Sequence, residues 1–173
     1  MVSGAELKAG VDPVRAAAVF DALEPVTAEQ ILGRWHGSEV PTGHPLDGLL
    51  DVSGWYGKEF VDTETVHPLL FGRPGALWAV NPKLMPLGLL NRLGTRFPRW
   101  LPPGGTALFR LAATGSPRAR LREVEFRGRV GAAMVYDDLP IIDHFRRLDD
   151  DALLGAMDLR GSRSPYFFLL ERD

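Results

Sequence analysis

The chain has 173 residues, of which 45% are hydrophobic and 24% are charged, a composition typical of one globular domain. It contains no cysteine, which excludes disulfides, thiolate metal ligands and a cysteine nucleophile. The net charge of -2 gives no attraction for nucleic-acid phosphates or anionic membranes. No stretch reaches the length of a membrane-spanning helix, and the first residues lack the pattern of a secretion signal. We therefore expect a cytoplasmic protein that binds no nucleic acid and does not insert stably into membranes.

The first predicted elements are two helices. Asp12 is a suitable N-cap, Pro13 suits the first helical position, and good helix formers follow. Thr27 and Gln30 match a capping box, which predicts a second, short helix that ends at Gly33. Neither helix carries groups suited to chemistry. We expect a helical lead-in that plugs or braces one end of the domain.

From Trp35 onward the sequence consists of short, strand-like segments separated by turn residues. Residues 118–138 alternate as a hairpin that turns near Arg127. The arginines of this hairpin are interleaved with Glu123 and Glu125, which indicates a solvated strand face rather than a groove for phosphates. Strands at such regular spacing favour an antiparallel sandwich or barrel.

A proline-rich stretch from residue 82 to 103 separates two strand-rich halves. Five of the 14 prolines lie in it, a density that forbids a regular helix or a central strand. The stretch is too apolar for a solvated linker, so we expect a lid or loop packed over the core. A membrane-touching loop is the alternative, although it would require a basic amphipathic helix. The predicted organisation is a single domain over 1–173, with halves at 20–80 and 106–173 and the lid or loop at 81–105.

Three blocks of sequence carry a family resemblance. They are Gly33-x-Trp35-x-Gly37, the Trp-Tyr-Gly-Lys run that ends at Lys58, and the C-terminal segments DDLPIIDHFRR, LLGAMDLRG and PYFFLLERD. In this order they resemble the bacterial GXWXG-domain proteins, over roughly residues 20–172. In that family the N-terminal module precedes a second region of unassigned function. The resemblance therefore implies a family but no activity.

A Gly-x-Trp on the first strand is also similar, more distantly, to the opening of lipocalins and other calycin barrels. This similarity implies a mainly β fold: an antiparallel, lipocalin-like β-barrel with an N-terminal helical lead-in and a proline-rich lid. In such barrels the indole closes the narrow end against a C-terminal arginine, which gives these roles to Trp35 and Arg172. The chain departs from lipocalins because it ends in a predicted strand rather than a helix.

Aromatic and basic residues of the early strands are the candidate ligand-binding residues. Glycines beside Trp35 let a neighbouring backbone approach closely, and the indole is either a structural corner or part of a ligand pocket. Alternation puts Tyr56, Lys58 and Phe60 on one strand face. The lysine is either a residue with its ammonium in water or a partly desolvated cation that holds a ligand carboxylate or phosphate, or acts as an acid/base. Trp78 has the same two interpretations as Trp35.

Ionisable residues of the late strands form a second candidate set. Asp158 shares one face of an otherwise apolar strand, and Asp143 and His144 lie on opposite faces of the strand before it. A buried carboxylate needs a partner or becomes protonated. Asp143 is therefore either half of a structural salt bridge with Lys58 or Arg146, or a member of a catalytic acid/base set. The catalytic set would consist of Asp158, Asp143, His144 and Lys58.

No metal or cofactor is expected, because the four histidines lack metal-binding spacing and neither a Gly-rich phosphate loop nor a GxSxG motif occurs. Three hypotheses remain. The first is a protein that binds a small hydrophobic or lipid-like molecule in the barrel, its acidic head meeting Lys58 and an arginine. The second is an enzyme on the same barrel that isomerises, cyclises or hydrolyses a hydrophobic metabolite. The third is an interaction module in which residues 82–103 dock a partner, a homodimer being one form.

Overall fold

The structure is a computed structural model that describes residues 2–84 and 110–173. The helices of this part are α1 (Gly4–Lys8), α2 (Pro13–Ala22) and α3 (Leu49–Ser53). Its strands are β1 (Glu24–Pro25), β2 (Gly33–Glu39), β3 (Trp55–Phe60), β4 (Val66–Arg73), β5 (Ala76–Ala79), β6 (Ala119–Phe126), β7 (Arg129–Tyr136), β8 (Ile141–Arg147), β9 (Ala152–Leu159) and β10 (Tyr166–Arg172). None of the described helices is long and apolar enough to cross a bilayer. The predicted lid and docking segment lies, from residue 85 onward, outside the described residues.

Eight of these strands form a closed antiparallel ring. Their order follows the chain, β2-β3-β4-β6-β7-β8-β9-β10, and β10 returns to pair with β2 through residues such as Leu170 and Gly37. The join between β4 and β6 is the shortest, with Val66 opposite Ala119. Strands β1 and β5 are edge additions to β8 and β4. The ring confirms the predicted mainly β, antiparallel, lipocalin-like fold.

Alternation along the strands divides the side chains between the interior of the ring and its outer wall. In the interior, Phe60 contacts Phe145, Phe145 contacts Phe168, and Phe168 contacts Trp55, all edge to face. The ring centroids in this series are 5.6 to 6.2 Å apart, a spacing at which aromatic pairs attract beyond their area burial. The interior is therefore a continuous apolar environment.

Helices α1 and α2 cover the outer wall of the ring instead of plugging one of its ends. Asp12 caps α2 as predicted, its carboxylate accepting a hydrogen bond from the backbone N–H of Arg15 at 2.9 Å. Phe20 of α2 packs with Leu154 and Phe167 in a buried cluster separate from the interior. The lead-in thus braces β9 and β10 from outside.

The segment between β1 and β2 closes one end of the ring. The predicted short helix is a single 3-10 turn over Glu29–Ile31, and the Thr27 N–H donates to Gln30 Oε1 at 3.0 Å. Trp35 donates its Nε1–H to the carbonyl oxygen of Ile31 at 2.8 Å. This bond holds the buried indole across the end of the interior.

Arg172 lies over the Trp35 indole, as the calycin similarity implies. Its guanidinium carbon is 4.2 Å from the ring centroid. The same guanidinium donates to the carbonyl oxygens of Leu32 and Gln30 at 3.0 and 3.1 Å. A planar group with several donors can hold both carbonyls and the ring face at once. The predicted pair of Trp35 and Arg172 is confirmed.

Arg172→Lys should lower the free energy of unfolding by about 1–2 kcal/mol, because a single ammonium cannot replace two hydrogen bonds and a stacked planar group. Urea unfolding followed by tryptophan fluorescence measures the change. Arg160→Lys, at an exposed position, is the matched control and should unfold at the midpoint of the unaltered protein. Equal midpoints for both variants would show that positive charge alone is sufficient at position 172.

Glycines of β2 and β3 make room for an indole and for a neighbouring strand. A Cβ atom on Gly37 would overlap the ring of Trp55, far inside van der Waals contact. A Cβ atom on Gly57 would overlap the carbonyl oxygen of Trp35 on the paired strand. Gly37 therefore leaves room for the Trp55 indole, and Gly57 allows the backbones of β2 and β3 to approach closely.

Candidate functional site

A β-bulge in β3 brings Trp55 and Lys58 to the same side of the sheet. Simple alternation predicts these two residues on opposite faces, with Tyr56 beside the lysine. The register between β3 and β4 shifts between Trp55 and Gly57 and again between Gly57 and Glu59. Because a bulge inserts an unpaired residue, it reverses the alternation beyond it. Trp55 and Lys58 both point into the interior as a result.

The other predicted ligand-binding residues lie in three places. Trp35 and Phe60 belong to the interior core near the closed end. Trp78 of β5 is partly buried and packs at the border of that core. Tyr56 lies on the other side of the sheet, where its hydroxyl donates to the carboxylate of Asp173. The bulge thus removes Tyr56 from the face on which the alternation places it with Lys58.

Lys58 forms a buried ion pair with Asp143 inside the ring. Its Nζ is 2.9 Å from Asp143 Oδ2, and the two side chains are 3% and 1% exposed. Nζ also donates to the carbonyl oxygen of Pro68 at 3.3 Å and to the Tyr136 hydroxyl at 3.5 Å. Aromatic rings with centroids 5.0 to 5.8 Å from Nζ belong to Trp55, Tyr136 and Phe168. We refer to Lys58, Asp143, Tyr136, Trp55 and Phe168 as the Lys58 cluster.

Burial dominates the electrostatics of the Lys58 cluster. It raises the pKa of Asp143 above the ordinary value, although the Lys58 ammonium and the Tyr136 hydroxyl act in the opposite direction. Burial, together with the charge of Asp143, raises the pKa of Tyr136 well above its ordinary value, so this hydroxyl keeps its proton. Removing two such charges from water costs several kcal/mol per ion. Hydrophobic side chains of similar volume would avoid that cost.

Two polar atoms of the Lys58 cluster have no hydrogen-bond partner among residues 2–84 and 110–173. One is the acceptor Asp143 Oδ1, and the other is the donor Trp55 Nε1. Asp143 is 1% exposed and Trp55 is 8% exposed, so neither group is open to bulk water. An unpartnered buried polar atom costs about 1–3 kcal/mol and is uncommon in folded proteins. With respect to the described residues, the cluster therefore has one acceptor and one donor without a partner in an apolar interior.

His144 and Asp158 lie on the outer wall, apart from the Lys58 cluster. The His144 ring stacks on Phe126 with centroids 3.9 Å apart and an interplanar angle of 3°. Asp158 is exposed, although its neighbours on β9 are buried. Of the four candidate acid/base residues, the structure brings together Lys58 and Asp143 and keeps the other two outside.

His144 should make the protein less stable in mild acid. Burial lowers its pKa from 6.5 to about 4, so between these values the unfolded chain binds a proton that the folded chain does not. The stability present above pH 6.5 is lost as the pH falls towards 4, by about 3 kcal/mol. Thermal unfolding across this window measures the loss. His144→Phe, which keeps a stacked ring, should flatten the pH dependence, and the same change at exposed His36 should not. Parallel curves for all three proteins would contradict this role of His144.

Sequence reasoning missed a second interior polar group, Glu39, towards the end of the ring opposite Arg172. Its carboxylate accepts from the backbone N–H groups of Gly48 and Leu50, both at 2.7 Å, and from the Tyr166 hydroxyl. Burial raises the pKa of Glu39. These bonds fasten the start of α3 to β2 and β10. Alternation from Trp35 along β2 would have placed Glu39 inside.

His44 and Ser162 approach each other without forming a nucleophile and its base. His44 Nε2 is 3.2 Å from Ser162 Oγ, while Nδ1 accepts from the Leu46 N–H at 3.1 Å. Burial lowers the pKa of His44, so the neutral ring carries its proton on Nε2 and donates to the serine. Ser162 Oγ in turn donates to the carbonyl oxygen of Ser164 at 2.9 Å. The serine is not activated, and the contact fixes the 41–48 loop.

An open groove of about 460 Å³ runs along the outer wall. Its lining includes Arg34 and Glu59, which form an ion pair at 2.8 Å, as well as His67 and Trp78. Within the described part of the chain, no three histidine, aspartate or glutamate side chains are grouped in a way that could hold a metal ion. The charges of Arg34 and Glu59 are matched with each other, whereas the Lys58 cluster lies inside the ring and holds a donor and an acceptor without partners among the described residues. His67 Nδ1 in the groove also has no partner in that part of the chain.

Two family models match the chain in the order of the sequence blocks. Residues 18–75 match the model described as GXWXG protein, and residues 117–172 match a domain of unknown function, DUF4334. No curated protein matches the sequence. Among solved structures, a protein from Thermomonospora curvata is 35% identical with a TM-score of 0.68, over 95% of this chain and 89% of the other. The chain therefore belongs to the GXWXG-domain protein family, in which that module is followed by a domain of unknown function.

Proposed function

We propose that this protein binds one small hydrophobic or lipid-like molecule inside the ring, with the polar end of the molecule at the Lys58 cluster. The observation that carries the proposal is the buried pair of Lys58 and Asp143, 2.9 Å apart within an aromatic environment. A pair that served structure alone would need its remaining polar atoms satisfied. Here Asp143 Oδ1 and Trp55 Nε1 stay without partners among the described residues. A ligand can supply those partners.

The dimensions and composition of the ring support the same proposal. Eight strands give an interior wide enough for packed side chains or for one small ligand. Ligand sites are predominantly apolar and contain a few polar groups that orient the ligand. The Lys58 cluster provides such groups, and the aromatic series from Phe60 to Trp55 provides the apolar wall. A cytoplasmic location and the absence of nucleic-acid partners stay predictions.

An acid/base enzyme is less well supported, because His144 and Asp158 lie outside the ring. Lys58 and Asp143 would have to serve alone as acid and base. The three protons of the Lys58 ammonium already have acceptors in Asp143, Pro68 and Tyr136. Binding requires no proton transfer and agrees better with this arrangement.

Native mass spectrometry of the freshly purified protein tests the proposal. We expect an added mass of one small molecule per chain that organic extraction removes. The extracted protein should then bind the neutral fluorophore N-phenyl-naphthylamine saturably, at one site per chain. A protein that purifies without added mass and does not bind the fluorophore would contradict the proposal.

Two adjacent positions of β9 distinguish interior binding from binding to the outer wall. Met157 belongs to the interior core and lies opposite Asp143 in the sheet, whereas Asp158 is exposed on the outer face. Met157→Trp should fill interior space and weaken fluorophore binding by about tenfold or more. Asp158→Trp, the matched control, should bind as the unaltered protein does. Equal binding by both variants, with circular dichroism showing intact strands, would place the fluorophore outside the ring.

A further inference from the structure

The Lys58 cluster contains a donor and an acceptor without partners among the described residues, and these two atoms indicate which polar group a ligand would carry. The cation is fully engaged, since Nζ has an acceptor for each of its three protons within 3.5 Å. Its charge is balanced by the carboxylate of Asp143. The Tyr136 hydroxyl hydrogen-bonds to the Asp143 carboxylate, and among the described residues the cluster atoms left without a partner are an acceptor, Asp143 Oδ1, and a donor, Trp55 Nε1. Both residues border the ammonium, because Asp143 Oδ2 is 2.9 Å and the Trp55 ring centroid 5.4 Å from Nζ.

We infer that the ligand is an uncharged apolar alcohol, whose hydroxyl donates to Asp143 Oδ1 and accepts from Trp55 Nε1. A hydroxyl is both a donor and an acceptor, and therefore matches both unused atoms with one small group. Esters and ketones accept only, and would leave Asp143 Oδ1 without a partner. The inference rests on the proposed function and names the chemical class of its ligand.

An ionised fatty acid is the ligand that this arrangement rejects, contrary to the acidic head that the sequence hypothesis assigned to Lys58 and an arginine. A second carboxylate would place two negative charges beside one buried ammonium. The uncompensated charge is strongly unfavourable in an apolar interior. The ionised carboxylate also has no proton to offer to Asp143 Oδ1. The ligand-binding hypothesis from the sequence treated Lys58 as a free cation, whereas the structure shows the other alternative, a salt bridge between Lys58 and Asp143.

Competition for bound N-phenyl-naphthylamine tests the inference with three ligands of equal chain length: lauryl alcohol, methyl laurate and laurate. The assay uses the extracted full chain in mildly alkaline buffer, where laurate is fully ionised. We expect lauryl alcohol to displace the fluorophore at a concentration roughly tenfold lower than either of the others. The order in which the three ligands compete for the unaltered protein tests the alcohol assignment, even if a variant does not fold.

Asp143→Asn gives a second readout, because it leaves the Lys58 ammonium without its anion. Laurate should then become the best competitor, which reverses the ranking. Asp150→Asn is the matched control at an exposed position and should keep the original ranking. Laurate binding best to the unaltered protein, or an unchanged ranking in folded Asp143→Asn, would overturn the alcohol assignment while leaving interior binding intact. Failure of the fluorophore to bind to a protein that also purifies without added mass would remove the proposed function and the inference with it.

Discussion

Replacing Lys58 alone with methionine should lower the free energy of unfolding by about 3–5 kcal/mol, because the buried carboxylate of Asp143 is left without its cation. The double replacement Lys58→Met/Asp143→Leu should restore most of this loss, since apolar groups of similar volume then occupy the site. The interaction free energy, which is the change in the double variant minus the sum of the two single changes, is therefore large and stabilising, whereas each single change is destabilising. Urea unfolding of both single variants, the double variant and the unaltered protein measures it.

The same double variant separates stability from function. It keeps the volume of the interior but removes the polar end of the proposed site, so we expect a stable protein that binds lauryl alcohol at least roughly tenfold more weakly. The exposed ion pair of Lys8 and Glu171 supplies the matched control, and Lys8→Met/Glu171→Leu should change stability by less than about 1 kcal/mol. A double variant at positions 58 and 143 that stays as unstable as Lys58→Met would show that the buried pair is needed for folding itself.

Alanine at Gly37 or Gly57 should destabilise the protein by about 3 kcal/mol or more, since in both cases the new Cβ atom overlaps existing atoms. The two obstacles differ in kind. At Gly37 the obstacle is the side chain of Trp55, whereas at Gly57 it is the backbone oxygen of Trp35 on the paired strand. A side chain can be shortened, but the paired backbone cannot move without breaking the ladder.

A smaller ring at position 55 should therefore rescue one variant and not the other. Trp55→Phe should recover part of the stability lost in Gly37→Ala, and should recover none of that lost in Gly57→Ala. Gly115→Ala is the matched control, because a Cβ atom there meets no other atom within 4 Å. Thermal unfolding of the single and double variants gives the comparison. Equal rescue of both variants would show that the indole, rather than the backbone, is the obstacle at both glycines.

The ring and its closed end were predictable from local patterns. Short alternating segments predict antiparallel strands. The Gly-x-Trp similarity predicts that Arg172 lies over Trp35, and the guanidinium carbon of Arg172 is 4.2 Å from the centroid of the Trp35 ring. Both features were predictable because the ring strands follow the order of the chain and the closed end depends on a single pair of residues, Trp35 and Arg172. The position of the N-terminal helices was not predictable in this way, because an amphipathic helix fits the end of a barrel as well as its wall.

The composition of the site was only partly predictable, since it depends on irregularities that alternation does not encode. The bulge in β3 moves Trp55 to the face of Lys58 and turns Tyr56 away. Asp158 follows the alternation of β9, but its face is the outer one. Tyr136 could have been found, since it shares a strand face with Met134, a core residue of the predicted hairpin. The contact of Tyr136 with Asp143 becomes apparent only when β7 and β8 are paired in the sheet.

The seam between β2 and β10 joins the beginning and the end of the ring. During translation, β2 leaves the ribosome long before Tyr166–Arg172 has been synthesised, so the nascent sheet has two open edges until the last strand arrives. Neighbouring hairpins such as β6–β7 can form early, whereas the seam has the greatest sequence separation and closes last. A chain that stalls before residue 166 therefore leaves β2 and β9 available for pairing with other nascent chains, and ring closure is the step that ends this exposure to aggregation.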